Sequence, residues 1–211
     1  MGFAYMKSKV LRITRQMPEW EVVKIAARVI DSGGIICFPT DTIYGFAASI
    51  YCREAIEKLR SIKGRRADDP FVIIVSDMGL VSELVIRITA RHRRLIEAHW
   101  PGPLTIVFEA SQVVPDYITG PDATVALRIP NDTLTQSILR ACGVPLAAPS
   151  ANMKGQRPAL SPEEVLEHFA GDVDLLLDGG LIESPEPSTI VAVRSRRLEV
   201  LRKGKVSFGK V

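Results

Sequence analysis

The sequence predicts one α/β domain built on a mixed parallel and antiparallel sheet with helices packed on it. Three observations carry this. Short continuous apolar runs alternate with amphipathic helical stretches through most of the chain. The C-terminal part is strand-rich, which breaks a purely parallel order. Prolines and glycines are spread throughout, so no stretch has the composition of a linker, and the 211 residues are read as a single domain, 1–211. A domain of this length buries roughly 70% of the surface its unfolded chain exposes. It needs no disulfide or structural metal to be stable.

The elements follow in order. Trp20, Val23, Ala27 and Ile30 recur at helical spacing between Pro18 and the Gly33-Gly34 stop, predicting a helix over 18–30. Ile35 to Phe38 is a short buried strand ended by Pro39. Glu54 to Ile62 is a helix with a basic end, and Phe71 to Val75 a continuous apolar strand. Ala90 to His99 is helical and arginine-rich. Leu104–Phe108 and Val125–Ile129 are strands. Thr133 to Ala141 is a helix introduced by the caps Asn131 and Asp132. Val144–Ala148 is a buried strand running into a polar loop. At Ser161-Pro162-Glu163-Glu164, Ser161 caps a helix, Pro162 takes its first position and Glu164 completes a capping box. Val173–Leu177 is a further strand. Ile190–Val193 and Leu198–Leu201, joined by Arg194 to Arg197, form a hairpin.

Composition narrows the function. The net charge of +3 permits an anionic partner without demanding one. Cys37, Cys52 and Cys142 are far apart and form no C-x-x-C pair, so they read as reduced thiols of a cytoplasmic protein. The N-terminus lacks a signal-peptide core, and no apolar run reaches the roughly 18 residues a membrane span needs. No P-loop, Rossmann turn or G-x-S-x-G is present. His92, His99 and His168 show no metal-ligand spacing, so no metal site is predicted.

Polar loops against apolar strands carry the remaining chemistry. Thr40-Asp41-Thr42 follows a buried strand and places two hydroxyls and a carboxylate at a sheet end, a pattern equally that of a capped turn. Lys63 and Arg65 flank Gly64 between a helix and a strand. Both suit phosphate or carboxylate, and both also suit a solvated helix end. Ser150 and Asn152 follow the strand at 144–148 and can donate to phosphate or ribose. Ser188 and Thr189 precede a strand. Arg128 stands inside an apolar strand, where an arginine needs an anionic partner.

Taken together and in order, Pro39-Thr-Asp-Thr-Ile-Tyr-Gly45, Lys63-Gly-Arg65, Trp100-Pro-Gly-Pro-Leu-Thr105, Ala126-Leu-Arg-Ile-Pro130, Pro149-Ser-Ala-Asn152, Ser188-Thr-Ile190 and Leu201-Arg-Lys-Gly204 resemble the YrdC/YciO family, in its short form, over about 18–205. The resemblance implies a twisted mixed sheet flanked by helices, with a concave basic cleft. It implies a threonylcarbamoyl-AMP synthase, a nucleotidyltransferase that joins L-threonine, bicarbonate and ATP for threonylcarbamoyladenosine modification of tRNA. The partners implied are tRNA and a ligase that receives the product. Mg²⁺ is expected with the triphosphate. Carried onto this chain, the pattern puts Thr42, Arg128 and Ser188 around threonine. It puts Lys63, Arg65, Asp69, Thr124, Ser150, Asn152 and Arg202 around ATP, with Lys63 and Arg65 as the catalytic cations. The chain departs from the pattern at Arg66, Asp69, Ile74 and Lys154. The other reading is a YciO-like paralogue that binds double-stranded RNA or tRNA, with Arg91, Arg93, Arg94 and the 194–197 arginines on phosphates. The same arginines also read as a solvated basic surface.

Overall fold

The computed structural model describes residues 8–64, 66, 69–183, 186–194 and 197–208. Ten strands form one mixed sheet in the order β1-β8-β2-β3-β7-β4-β6-β5-β9-β10. In chain order they are β1 (Lys9–Arg12), β2 (Ile36–Pro39), β3 (Tyr44–Ser49), β4 (Val72–Ile74), β5 (Leu104–Glu109), β6 (Thr124–Arg128), β7 (Leu146–Ala147), β8 (Leu175–Asp178), β9 (Thr189–Val193) and β10 (Leu198–Arg202). Parallel pairs (β1–β8, β2–β8, β4–β6, β5–β9) sit among antiparallel ones. The helices are α1 (Trp20–Asp31), α2 (Arg53–Lys63), α3 (Met78–Leu84), α4 (Ala90–His99), α5 (Thr133–Cys142) and α6 (Pro162–Phe169). None of them is long and apolar enough to cross a membrane.

The mixed sheet and the C-terminal hairpin are as the sequence predicts. β9 and β10 pair antiparallel from Leu198 opposite Val193. Three elements go beyond the prediction: β1, β3 and α3. At α6, Ser161 accepts from Glu164 N at 3.3 Å, as a cap should. Glu164 does not close the expected box. Its carboxylate accepts from Leu160 N at 2.9 Å and from Arg157 at 2.8 Å, because the chain enters the helix with Leu160 nearer. The box forms instead at α4, where Thr89 and His92 bond reciprocally.

Alternation along the strands divides the core into two layers. Ile35, Cys37, Tyr44, Phe46, Ala48, Leu127, Leu176 and Val191 face α2, α3, α4 and α6. Ile36, Phe38, Ala47, Leu146, Leu175 and Leu177 face the other way, under α1 and α5. That second layer ends at Ile74. Beyond it the same face is carried by cross-strand neighbours: Val72 beside Ala126, Ile74 beside Arg128, Val107 beside Ala126, Glu109 beside Thr124, and Ala192 beside Val107. All of these residues but Ala126 line cavities. One face of the sheet is thus half covered, and the polar loops collect at the edge of the cover.

Tyr44 anchors this edge from below. It is fully buried. Its hydroxyl donates to Gly180 O at 2.8 Å and accepts from Gly179 N at 3.3 Å. Burial pushes its phenol well above the ordinary tyrosine range. Tyr44→Phe keeps the packing but leaves both backbone groups without that partner. We expect it to cost about 1–3 kcal/mol, read as a lower denaturant midpoint; an unchanged midpoint contradicts the account.

Candidate functional site

The site begins with the turn after β2. Thr40 Oγ1 donates to Ile43 O at 2.7 Å and accepts from the backbone N–H groups of Thr42 and Ile43 at 3.1 and 3.2 Å. The turn is therefore a capped one, and a site is built on it as well. Thr40 has a single proton and commits it to Ile43. Thr40 Oγ1 and Thr42 Oγ1 lie 3.0 Å apart. The buried Thr42 lines the space beyond.

That space is a cavity of about 110 Å³, with room for several waters or a small amino acid. Its walls include Thr40, Asp41, Thr42, Thr135, Ser150, Ser188, Arg128 and Arg202, over an apolar floor of Val72, Ile74 and Ile190. Arg128 is almost wholly buried. Its Nε donates to Gly102 O at 2.9 Å, and its Nη2 reaches both oxygens of Asp41 at 2.6 and 2.5 Å. The partner that a strand arginine demands is thus a carboxylate of the chain itself. Nothing in the sequence singled out Asp41 for this role.

Ser188 is fixed by two neighbours. Its hydroxyl lies 3.0 Å from the hydroxyl of the fully buried Thr105 and accepts from Arg202 Nη2 at 2.9 Å. Arg202 also donates to Ser188 O at 2.8 Å. Gly204 makes this packing possible: a Cβ there would stand 2.1 Å from Pro187 O and 2.7 Å from the Ser188 carbonyl carbon. Lys205 N then bonds Pro187 O at 3.0 Å.

A second cavity of about 320 Å³ adjoins the first and shares Pro70 and Ser150 with it. Lys63, Asp69, Asn152, Lys154 and Gly155 complete its lining. Lys63 is not a solvated helix end. It is 2% exposed, and its ammonium donates to Ser150 O at 2.6 Å and to Asn152 O and Oδ1 at 2.5 Å each. These bonds clasp the end of α2 to the loop after β7, and Lys154 N returns a bond to Lys63 O at 3.2 Å. Two of the positions that depart from the family pattern meet here: Lys154 Nζ and Asp69 Oδ2 are 2.7 Å apart.

The structure therefore gathers Thr42, Arg128, Ser188, Arg202, Ser150, Asn152, Lys63 and Asp69 around two joined cavities. Thr124 does not join them. It lines a separate cavity of about 540 Å³ on the same sheet face, with Val107, Glu109 and Ala192. At four residues along β6 it stands about 13 Å from Arg128. Its hydroxyl donates to Pro121 O at 2.8 Å. Arg65 lies outside the described residues. The expected basic character is tempered by pairing: Arg128 with Asp41, Lys154 with Asp69, Arg87 with Glu109 and Arg194 with Glu199. Among the described residues no group of three or more His, Cys, Asp or Glu side chains gathers as a metal cage.

The chain resembles known proteins over nearly its whole length. The Sua5/YciO/YrdC family model, described as "Telomere recombination", matches residues 28–204. A protein named threonylcarbamoyl-AMP synthase from Pyrococcus abyssi is 33% identical over 195 residues, covering 92% of this chain and 57% of the relative. One of the same name from Nitrosococcus oceani is 32% identical over 173 residues, covering 82% of this chain and 93% of the relative. The chain thus spans little more than half of the archaeal relative and nearly all of the bacterial one. Among solved structures, P. abyssi Sua5 complexed with L-threonine superposes with a TM-score of 0.88 at 33% identity, over 93% of this chain and 58% of that one. Escherichia coli YciO superposes with a TM-score of 0.87 at 24% identity, over 93% and 96%, a likeness of fold alone. With a family model spanning most of its length, this chain belongs to the Sua5/YciO/YrdC family.

Proposed function

We propose that this protein is a threonylcarbamoyl-AMP synthase: L-threonine, bicarbonate and ATP give threonylcarbamoyl-AMP, pyrophosphate and water. The observation that carries the reading is the junction at Ser150. A small cavity holding a buried guanidinium shares that residue with a larger one lined by a buried ammonium. The relatives named as synthases and the neighbour bound to L-threonine support it.

Threonine takes the small cavity. Its carboxylate faces Arg128, and Thr42 and Ser188 meet its remaining polar groups. The triphosphate takes the larger one, near Lys63, Ser150, Asn152 and Asp69, with Arg202 at the border. Arg65 follows Lys63 in the chain and is assigned to the same phosphates. Thr124 is assigned to the far end of the nucleotide on the open sheet face. The amine of threonine captures bicarbonate as a carbamate. A carbamate oxygen then attacks the α-phosphorus, and pyrophosphate leaves. No protein nucleophile is required, so the chain contributes positioning and electrostatic stabilisation. Mg²⁺ travels with the triphosphate, whose oxygens supply its hard ligands. The product passes to a ligase that modifies tRNA, and the setting is the cytoplasm.

Lys63 has a double duty here. Its three short bonds match the three donors of an ammonium, so a phosphate oxygen must replace one of them, and the 150–152 loop must give way as nucleotide enters. Lys63→Ala is expected to lower turnover on the order of 10²-fold or more. It also removes the clasp on the part-buried carbonyls of Ser150 and Asn152, at about 1–3 kcal/mol. Turnover retained in a folded variant contradicts the role.

Gly204→Ala tests the other cavity. The added carbon forces Ser188 and Arg202 aside, and displacements on this scale cost on the order of 10²-fold in rate. Steady-state kinetics with varied L-threonine reads the loss; wild-type kinetics contradict it.

The function itself is tested by pyrophosphate release from ATP with bicarbonate, with and without L-threonine, and with L-serine as control. Strict threonine dependence with threonylcarbamoyl-AMP among the products is the expected result. Folded protein that binds ATP and shows no such turnover ends the reading.

A further inference from the structure

The partner of Arg128 within the small cavity is a residue that the family pattern leaves without a role. We infer that Asp41 is a substrate-binding residue that receives the amino group of the amino-acid substrate, so that Asp41 and Arg128 together recognise a zwitterion. This rests on the threonine reading above and deepens it.

The geometry separates donors from acceptors across the cavity. Arg128 uses Nε on Gly102 O and Nη2 on Asp41. Its Nη1 carries two further N–H groups with no bond among the described residues, and Arg128 lines the cavity. An incoming carboxylate can therefore bind Arg128 without expelling Asp41. Asp41, in turn, meets one nitrogen only among the described residues. A carboxylate has about four acceptor sites, and its side chain is 18% exposed where it lines the cavity. Beside it stands the Thr42 hydroxyl, which lines the same cavity.

A second acid stands near Asp41. Asp132 stands close enough to Asp41 for their charges to repel. Burial, with that repulsion added, pushes Asp132 above the ordinary aspartate range. Arg15 approaches the same turn and donates to Thr40 O at 2.8 Å, which leaves its positive charge in place there. A ligand with an ammonium on the carbon next to its carboxylate completes both charges at once. One with the carboxylate alone leaves Asp41 facing a second anion.

The test compares L-threonine with 3-hydroxybutanoate, which keeps the carboxylate and hydroxyl but lacks the amine. Both are titrated by ligand-observed NMR against the wild-type protein and Asp41→Asn. Wild type should prefer threonine by roughly 10- to 100-fold, the loss expected for one hydrogen bond to a charged group. In Asp41→Asn threonine should weaken by a similar factor. 3-Hydroxybutanoate should hold or bind more tightly, since Arg128 no longer faces a competing carboxylate. If both ligands weaken equally, Asp41 only holds Arg128 in place and the inference fails while the threonine reading stands. If wild type binds both ligands alike, the inference fails without recourse to the variant. If wild type binds neither, the threonine reading falls and this inference falls with it.

Discussion

The site exists because α1 and α5 cover only part of one sheet face. Each strand of the sheet is two-sided, so each side must meet a helix, a loop or solvent. Under α1 and α5 the residues are Ile36, Phe38, Leu146, Leu175 and Leu177, all buried and apolar. Past Ile74 the same face changes to Thr124, Ala126, Arg128, Val107 and Glu109. Small and polar side chains there need no helix above them, and the loops after β2 and β7 close over the boundary instead. A longer apolar run on β6 would call for more cover, and the cavities would fill.

Within that boundary, cations are held by backbone as much as by side chains. Lys63 is bound by two carbonyls and an amide oxygen, and Arg128 by a carbonyl and a carboxylate. Carbonyl ligands fix a charge in position and leave its sign in place, which is what an anion site requires. The pairing of Lys154 with Asp69 follows the same economy. Lys154 and Asp69 meet each other at the larger cavity, so together they change its net charge little.

Much of this was legible in the sequence, and the exceptions have two causes, weak local signals and distant partners. Arg128 was legible because a charge in an apolar strand has few explanations. α4 was legible to its last residue, from Ala90 to His99. β3 was not: Tyr44-Gly-Phe-Ala-Ala-Ser is fully buried, but its Gly and Ala residues carry little strand propensity, and a turn motif runs into it. β1 is a mostly exposed edge strand whose partner, β8, lies far along the chain. α3 is short and contains Gly79; only Asp77, which caps it, announced it. The burial of Lys63 was hidden because a lysine ending a helix ordinarily lies in water. Asp41 was hidden because its partner is 87 positions away. Local patterns report local bonds, whereas β1, the burial of Lys63 and the role of Asp41 each depend on a distant one.

The Arg128–Asp41 pair shows why such a contact is better explained by ligand than by stability. Taking two charges out of water costs several kcal/mol per ion, and a buried pair replaced by apolar side chains is often no less stable. Val72, Ile74 and Ile190 already form an apolar floor around the pair, so apolar packing was open at this place. What an apolar pair cannot do is hold a guanidinium desolvated and oriented before a ligand arrives. With Nε on Gly102 and Nη2 on Asp41, the plane of Arg128 is set by the fold. An entering carboxylate then meets donors already aligned, and little of the interaction is spent on ordering the side chain. The same alignment that makes the pair a poor source of stability makes it a good receptor.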